Sequence, residues 1–87
     1  MRKDKLKNVI KVLECLKESN DWIWLRECSR RTGLHHSTIS RILREIDAFV
    51  EQSYLDPFNL RLVRLKKGVN IDGVLKILEV KEKIKEI

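Results

Sequence analysis

Gly33 is the residue that most narrows what this chain can fold into. It separates an amphipathic run over residues 25–32 from a second that begins after Leu34-His35, and glycine tolerates the left-handed backbone that ends a helix. Ser29 lies four residues before Gly33, and Ile39 lies six residues after it. A small side chain at Ser29 lets a second helix axis approach, and an apolar Ile39 plugs the crossing. Leu25, Cys28, Leu34, Ile39, Leu43 and Ile46 then make a shared core. The spacing predicts two short helices that cross over a tight turn, in a unit covering residues 25–50.

The rest of the chain reads as support for that unit. Leu6, Val9, Ile10, Leu13 and Leu16 recur at three- and four-residue steps, which predicts an amphipathic helix over 3–18. Ser19-Asn20-Asp21 stops it, because these side chains bond to local backbone. Trp22-Ile23-Trp24 suits a brief strand, and the two tryptophans, two residues apart on one face, are expected to pack into the core rather than to form an aromatic pair for a ligand. The helix after His35 carries Ile39, Ile42, Leu43, Ile46, Phe49 and Val50, and it is expected over 36–50, fading near Ser53. Asp56-Pro57-Phe58-Asn59 signals a turn. Residues 60–65 read as a strand, closed by Lys66-Lys67-Gly68. Its partner is either 50–55 across the 56–59 turn or 69–71 across Gly68. If the third helix runs on to Ser53, the hairpin is truncated. Asp72 is a plausible N-cap for a last helix over 73–86.

Composition sets the class. The chain has 87 residues, 43% of them hydrophobic, with only three Gly and one Pro, which argues for one folded domain, residues 1–87, and against disorder. A domain of this size buries only about 60–65% of its unfolded surface, so its core is thin and a deep catalytic cleft is hard to build. The net charge is +6, from 19 Lys+Arg against 13 Asp+Glu. Residues 22–44 supply +4 of it: Arg26, Arg30, Arg31, Arg41 and Arg44 stand against Glu27 alone. Arginine is the side chain suited to bidentate contact with phosphates and guanine edges. Charged residues reach 37%, rich in Lys and Glu, a bias that fits the ion-pair-rich surface of a thermophile's protein. No membrane span or signal-peptide pattern is legible, so a cytoplasmic location is expected.

Two helices joined by a Gly-containing turn, the second rich in arginine, form a helix-turn-helix layout. The run from Trp24 to Leu43, and above all Thr32-Gly33-Leu34 followed by Ser37-Thr38-Ile39-Ser40-Arg41-Ile42-Leu43, resembles winged helix-turn-helix transcription regulators. It is similar to the small bacterial and archaeal repressors of the MarR-like and ArsR-like groups. The close match covers about 20 residues, although the order of elements covers nearly the whole chain. The resemblance implies a mainly α fold of about four helices with a small β component and a short or truncated wing. It also implies a recognition helix at 36–50 and a homodimer on double-stranded DNA of pseudo-palindromic sequence. Carried over by position, Ser37, Thr38, Ser40, Arg41 and Arg44 would face DNA. Read from the residues themselves, Arg26, Arg30, Arg31, His35 and His36 are the further candidate contacts, to the phosphates. Cys28 stands where larger aliphatic side chains are usual in such proteins.

Other chemistry is weakly signalled. His35 and His36 are adjacent, so on a helix their rings would diverge by about 100°, poor geometry for holding one metal. Cys15 and Cys28 form no CxxC pair and suit buried positions. No Gly-rich phosphate loop, activated nucleophile or apolar carboxylate pair is present, so neither an enzyme nor a metal or cofactor is expected. The last helix shows apolar residues on more than one side: Val74, Ile77, Leu78 and Ile84, with Leu75, Val80 and Ile87. The surplus suggests a dimer through that helix and the first one, against the plainer reading that the helix caps the monomer core. Two other functions fit the same fold: a protein–protein interaction module, and a nucleic-acid-binding architectural protein without sequence preference.

Overall fold

The structure, a computed structural model, describes residues 3–55 and 60–86. The chain runs α1 (Lys3–Ser19), β1 (Ile23–Trp24), α2 (Leu25–Thr32), α3 (His36–Glu45), a 3-10 turn (Asp47–Phe49), β2 (Val50–Leu55), β3 (Leu60–Leu65) and α4 (Ile71–Glu86). It is mainly helical, with a small three-stranded antiparallel sheet in the order β1-β3-β2. Among the described residues, no helix is long and apolar enough to cross a membrane.

Helix α1 buries Val9, Val12, Leu13, Cys15 and Leu16, a stripe at helical spacing. Its end is set where expected. Asn20 takes the left-handed conformation at φ 56°, which asparagine tolerates better than most residues, and the Ser19 hydroxyl donates to the Leu16 carbonyl at 3.0 Å. The crossing of α2 and α3 also follows its sequence signals. Gly33 has φ 73°, and its N–H donates to the Ser29 carbonyl at 2.9 Å. No atom lies within 4 Å of where a Cβ on Gly33 would sit, so the requirement for glycine is conformational rather than steric. Ser29 does more than stay small: its hydroxyl donates to the Leu34 carbonyl at 2.6 Å and ties the turn shut. Cys28, Ile39, Leu43 and Ile46 are buried, with Leu25 and Leu34 packed against them.

Three expectations are corrected here. The third helix stops at Glu45 rather than Val50, because Ile46 leaves helical geometry (φ −105°, ψ 20°) and a 3-10 turn leads into β2. Phe49 and Val50 continue the helical spacing, but Val50 pairs with Leu65 and is buried at the base of the sheet, while the Lys66 N–H closes on the Phe49 carbonyl at 3.0 Å. Strand pairing outweighs local periodicity, so the hairpin is complete in length: six residues of β2 align with six of β3, from Val50↔Leu65 to Leu55↔Leu60. The 56–59 turn lies outside the described residues. The tryptophans are the second correction. Ile23 pairs with the buried Val63, so the core takes the face that Ile23 occupies. Trp22 and Trp24 do share a face, but it is the outer one, and they are 36% and 41% exposed. The third is α4, which begins at Ile71; Asn70, not Asp72, caps it, its Oδ1 accepting from the Asp72 N–H at 2.8 Å.

Helix α4 buries Val74 and Leu78, one turn apart, and leaves Ile77 and Val80 at 43% and 54% exposure. It therefore caps the core with one face and presents apolar surface on another. The side chain of Ile84 and the whole of Ile87 lie outside the described residues.

Candidate nucleic-acid interface

Helix α3 positions the candidate site. Its first turn is capped by His35, whose Nδ1 accepts from the Ser37 backbone N–H at 3.2 Å and lies 2.8 Å from the Ser37 hydroxyl. Because His35 has extended backbone angles (φ −64°, ψ 146°), the divergence expected of two helical histidines does not apply. The His35 and His36 rings sit 4.2 Å apart, tilted by 32°. The lone pair of Nδ1 caps the helix, so this nitrogen serves the fold before it serves any phosphate. Among the described residues, no group of three or more His, Cys, Asp or Glu is arranged to hold a metal ion. Cys15 and Cys28 are buried free thiols; burial first, and the neighbouring Cys15 second, push the Cys28 thiol up to about 12.

The outward side of α3 carries Ser37, Arg41 and Arg44, all exposed, with Thr38 and Ser40 half-buried beside them. Among the described residues, neither Arg41 nor Arg44 has a carboxylate within salt-bridge distance, and the same holds for Arg26 on α2. Thr38 and Arg41 line a shallow groove toward α1 with Lys5 and Glu45, which are themselves joined at 2.6 Å.

The other two α2 arginines are placed differently. Arg30 and Arg31 both bond to Glu27, Arg30 through two nitrogens and Arg31 through Nε at 3.1 Å. Hydrogen bonds from Arg30 and then Arg31 pull the Glu27 carboxyl from 4.5 down to about 2. The trio carries one net positive charge instead of two free ones. Arg31 also lines a groove with Lys11, Glu14 and Glu18 of α1, away from the α3 face. Of the expected site residues, His35, His36, Ser37, Thr38, Ser40, Arg41 and Arg44 lie on α3 or at its start, Arg26 lines one groove with His36, and Arg30 and Arg31 are turned onto Glu27.

The hairpin contributes residues that the sequence reading missed. Arg61 Nε donates to Gln52 Oε1 at 2.8 Å, Nη2 donates to the same oxygen, and Nη1 donates to the Ser40 hydroxyl oxygen at 3.0 Å. Its guanidinium lies 5.6 Å from the Tyr54 ring centre. A groove of about 380 Å³ runs beside it, lined in part by Trp24, Arg26, His36 and Arg61. One signal existed: Arg61 is in phase with the inward-facing Val63 and Leu65, an odd place for an arginine in a strand. Arg64, out of phase, is on the outer face, over the Trp22 ring at 4.4 Å and paired with Glu51 and with Asp21 at 3.7 Å.

The chain matches no protein-family model, no curated protein and no solved structure.

Proposed function

We propose that this chain is a winged helix-turn-helix domain that binds double-stranded DNA with sequence preference and acts as a transcription regulator. In this reading α3 is the recognition helix, and the β2–β3 hairpin is the wing. The observation that carries it is the outward face of α3. Arg41 and Arg44 stand there without a carboxylate partner among the described residues, one turn beyond the hydroxyls of Ser37 and Ser40. Hydroxyls near a helix N-terminus permit close approach to phosphates, and arginines a turn further on reach base edges. The first turn of α3 contains no acidic residue to oppose that approach. The reading gives the chain no catalytic role and no cofactor.

The same reading includes a homodimer. The exposed Ile77 and Val80 of α4 support it, since a second copy would cover them and would double the DNA contact over two half-sites. Sedimentation at micromolar concentration should give twice the 10.4 kDa chain mass; a value at the chain mass removes the dimer and leaves α4 as a cap.

Selection from random duplexes tests the function. Enrichment of a palindrome, with affinity falling steeply as salt rises through counterion release, supports the regulator. Binding without enrichment supports an architectural role, and no binding at low salt supports a protein-interaction module.

A further inference from the structure

Ser40 and Arg61 are 21 residues apart in sequence and meet between the recognition helix and the hairpin. The Ser40 hydroxyl oxygen accepts from Arg61 Nη1 at 3.0 Å. Arg61 is itself held from the other side, since Nε and Nη2 both donate to Gln52 Oε1 and the Tyr54 ring lies beside the guanidinium. Gln52 and Arg61 sit on adjacent paired strands, so the hairpin ladder sets where the guanidinium lies.

The consequence falls on the Ser40 hydrogen. A helical serine or threonine commonly turns its hydroxyl back onto the carbonyl one turn earlier. Thr32 does this here, donating to the Cys28 carbonyl at 2.8 Å. Among the described residues Ser40 donates to nothing; its one bond is the one it accepts. A guanidinium has no acceptor to offer. With Arg61 on one lone pair of the oxygen, the hydroxyl hydrogen points away from the guanidinium and is free for another partner. A serine is ordinarily both donor and acceptor and therefore discriminates poorly between base edges.

We propose that Arg61 is a positioning residue for DNA recognition: anchored by Gln52, it takes one of the two lone pairs of the Ser40 oxygen, its positive charge disfavours a second donor there, and Ser40 is biased toward donating to hydrogen-bond acceptors on the DNA. The acceptors in the major groove are guanine N7 and O6, adenine N7 and thymine O4, whereas the cytosine and adenine amino groups are donors that a Ser40 oxygen already bonded to a cation would bind less well. The proposal rests on the DNA-binding reading above. It adds that one contact of α3 is specified by the hairpin rather than by the helix alone.

The test is duplex selection, followed by affinity measurements on single-base variants of the enriched site, for the full chain and for Ser40→Ala, Arg61→Met and Gln52→Leu. Ser40→Ala identifies the base pair that Ser40 reads by flattening the preference there by about fivefold, the worth of one hydrogen bond. Arg61→Met should flatten the preference at the same base pair, and the double variant should lose no more than either single one. Gln52→Leu, which removes only the anchor, should reproduce the effect more weakly, and Arg61→Lys, which keeps a donor, should restore part of it. An arginine that merely stabilised the hairpin would lower the melting temperature and leave base preference alone. Arg61→Met with an unchanged preference at the Ser40 position, or with additive losses in the double variant, overturns the proposal while leaving DNA binding intact. If the unaltered chain enriches no sequence at all, the reading beneath it falls as well.

Discussion

Helices α2 and α3 are neighbours across one glycine turn and share one core, yet they use their arginines in opposite ways. Arg30 and Arg31 on α2 close on Glu27, so one of their two charges is offset within the helix. Arg41 and Arg44 on α3 meet no carboxylate among the described residues and face outward. By sequence α2 is the more basic segment, with three arginines against one glutamate where α3 has two against one. The charge available to a partner is what remains after near neighbours are satisfied, and a single glutamate one turn from two arginines changes it greatly. Strand β3 repeats the lesson: Arg64 is paired with Glu51 and Asp21, whereas Arg61 rests on the neutral oxygens of Gln52 and Ser40.

The comparison depends on the crossing that holds α2 and α3 at a fixed angle. Ile39→Ala removes a fully buried side chain from that crossing and should cost about 2–5 kcal/mol, a large part of a small domain's stability. Denaturant melts read this directly, and a loss below about 1 kcal/mol would mean that the crossing is not what sets the geometry. Within the folded protein, Arg41→Ala should weaken binding to the selected duplex by about 1–3 kcal/mol and relax its sequence preference. Equal losses on every duplex would show that Arg41 touches phosphate only.

Glu27→Gln should move affinity the other way. It releases Arg30 and Arg31, so binding to any duplex should tighten. The slope of log affinity against log salt should steepen, by no more than about 1.8 if both charges reach phosphates. No change in that slope would place both side chains out of reach of DNA. Smaller still, Arg30→Ala should weaken binding less than about threefold and without regard to sequence, because its charge is already shared with Glu27. The same carboxylate provides a pH signature. Its folded value near 2 lies below its ordinary 4.5, so the ion trio's contribution to stability is complete above about 4.5 and is lost as pH falls toward 2. The melting-temperature difference between the native chain and Glu27→Gln should be present at pH 7 and should close over that acid window. A difference that keeps its full pH 7 size at pH 2 would assign it to something other than the carboxylate.

Much of the fold is legible along the chain because it is written in local signals. Helical spacing in α1, the Ser19-Asn20 stop, Gly33 at the turn and the strand at 60–65 each depend on residues within a few positions of one another. Several fates were not local. Phe49 and Val50 fit a helix as well as a strand, and only pairing with β3 settles them. Trp22-Ile23-Trp24 alternates faces in either orientation, and only Val63 across the ladder tells which face is inside. For the candidate site, the stripe Ser37, Ser40, Arg41 and Arg44 follows from helical geometry. The pairing of Arg30 and Arg31 with Glu27 was accessible in principle, since Glu27 lies three and four residues before them.

What the sequence determined by itself is therefore a two-helix unit hinged on Gly33, its shared core, and an arginine-bearing outer face on the second helix. All of these follow from periodicity and backbone preference, which act over one or two turns. Long-range packing settles where the helix yields to the hairpin, which way the tryptophans face, and that Arg61 reaches Ser40. Those outcomes depend on strand register and on contacts between residues far apart in sequence, and no local pattern carries that information.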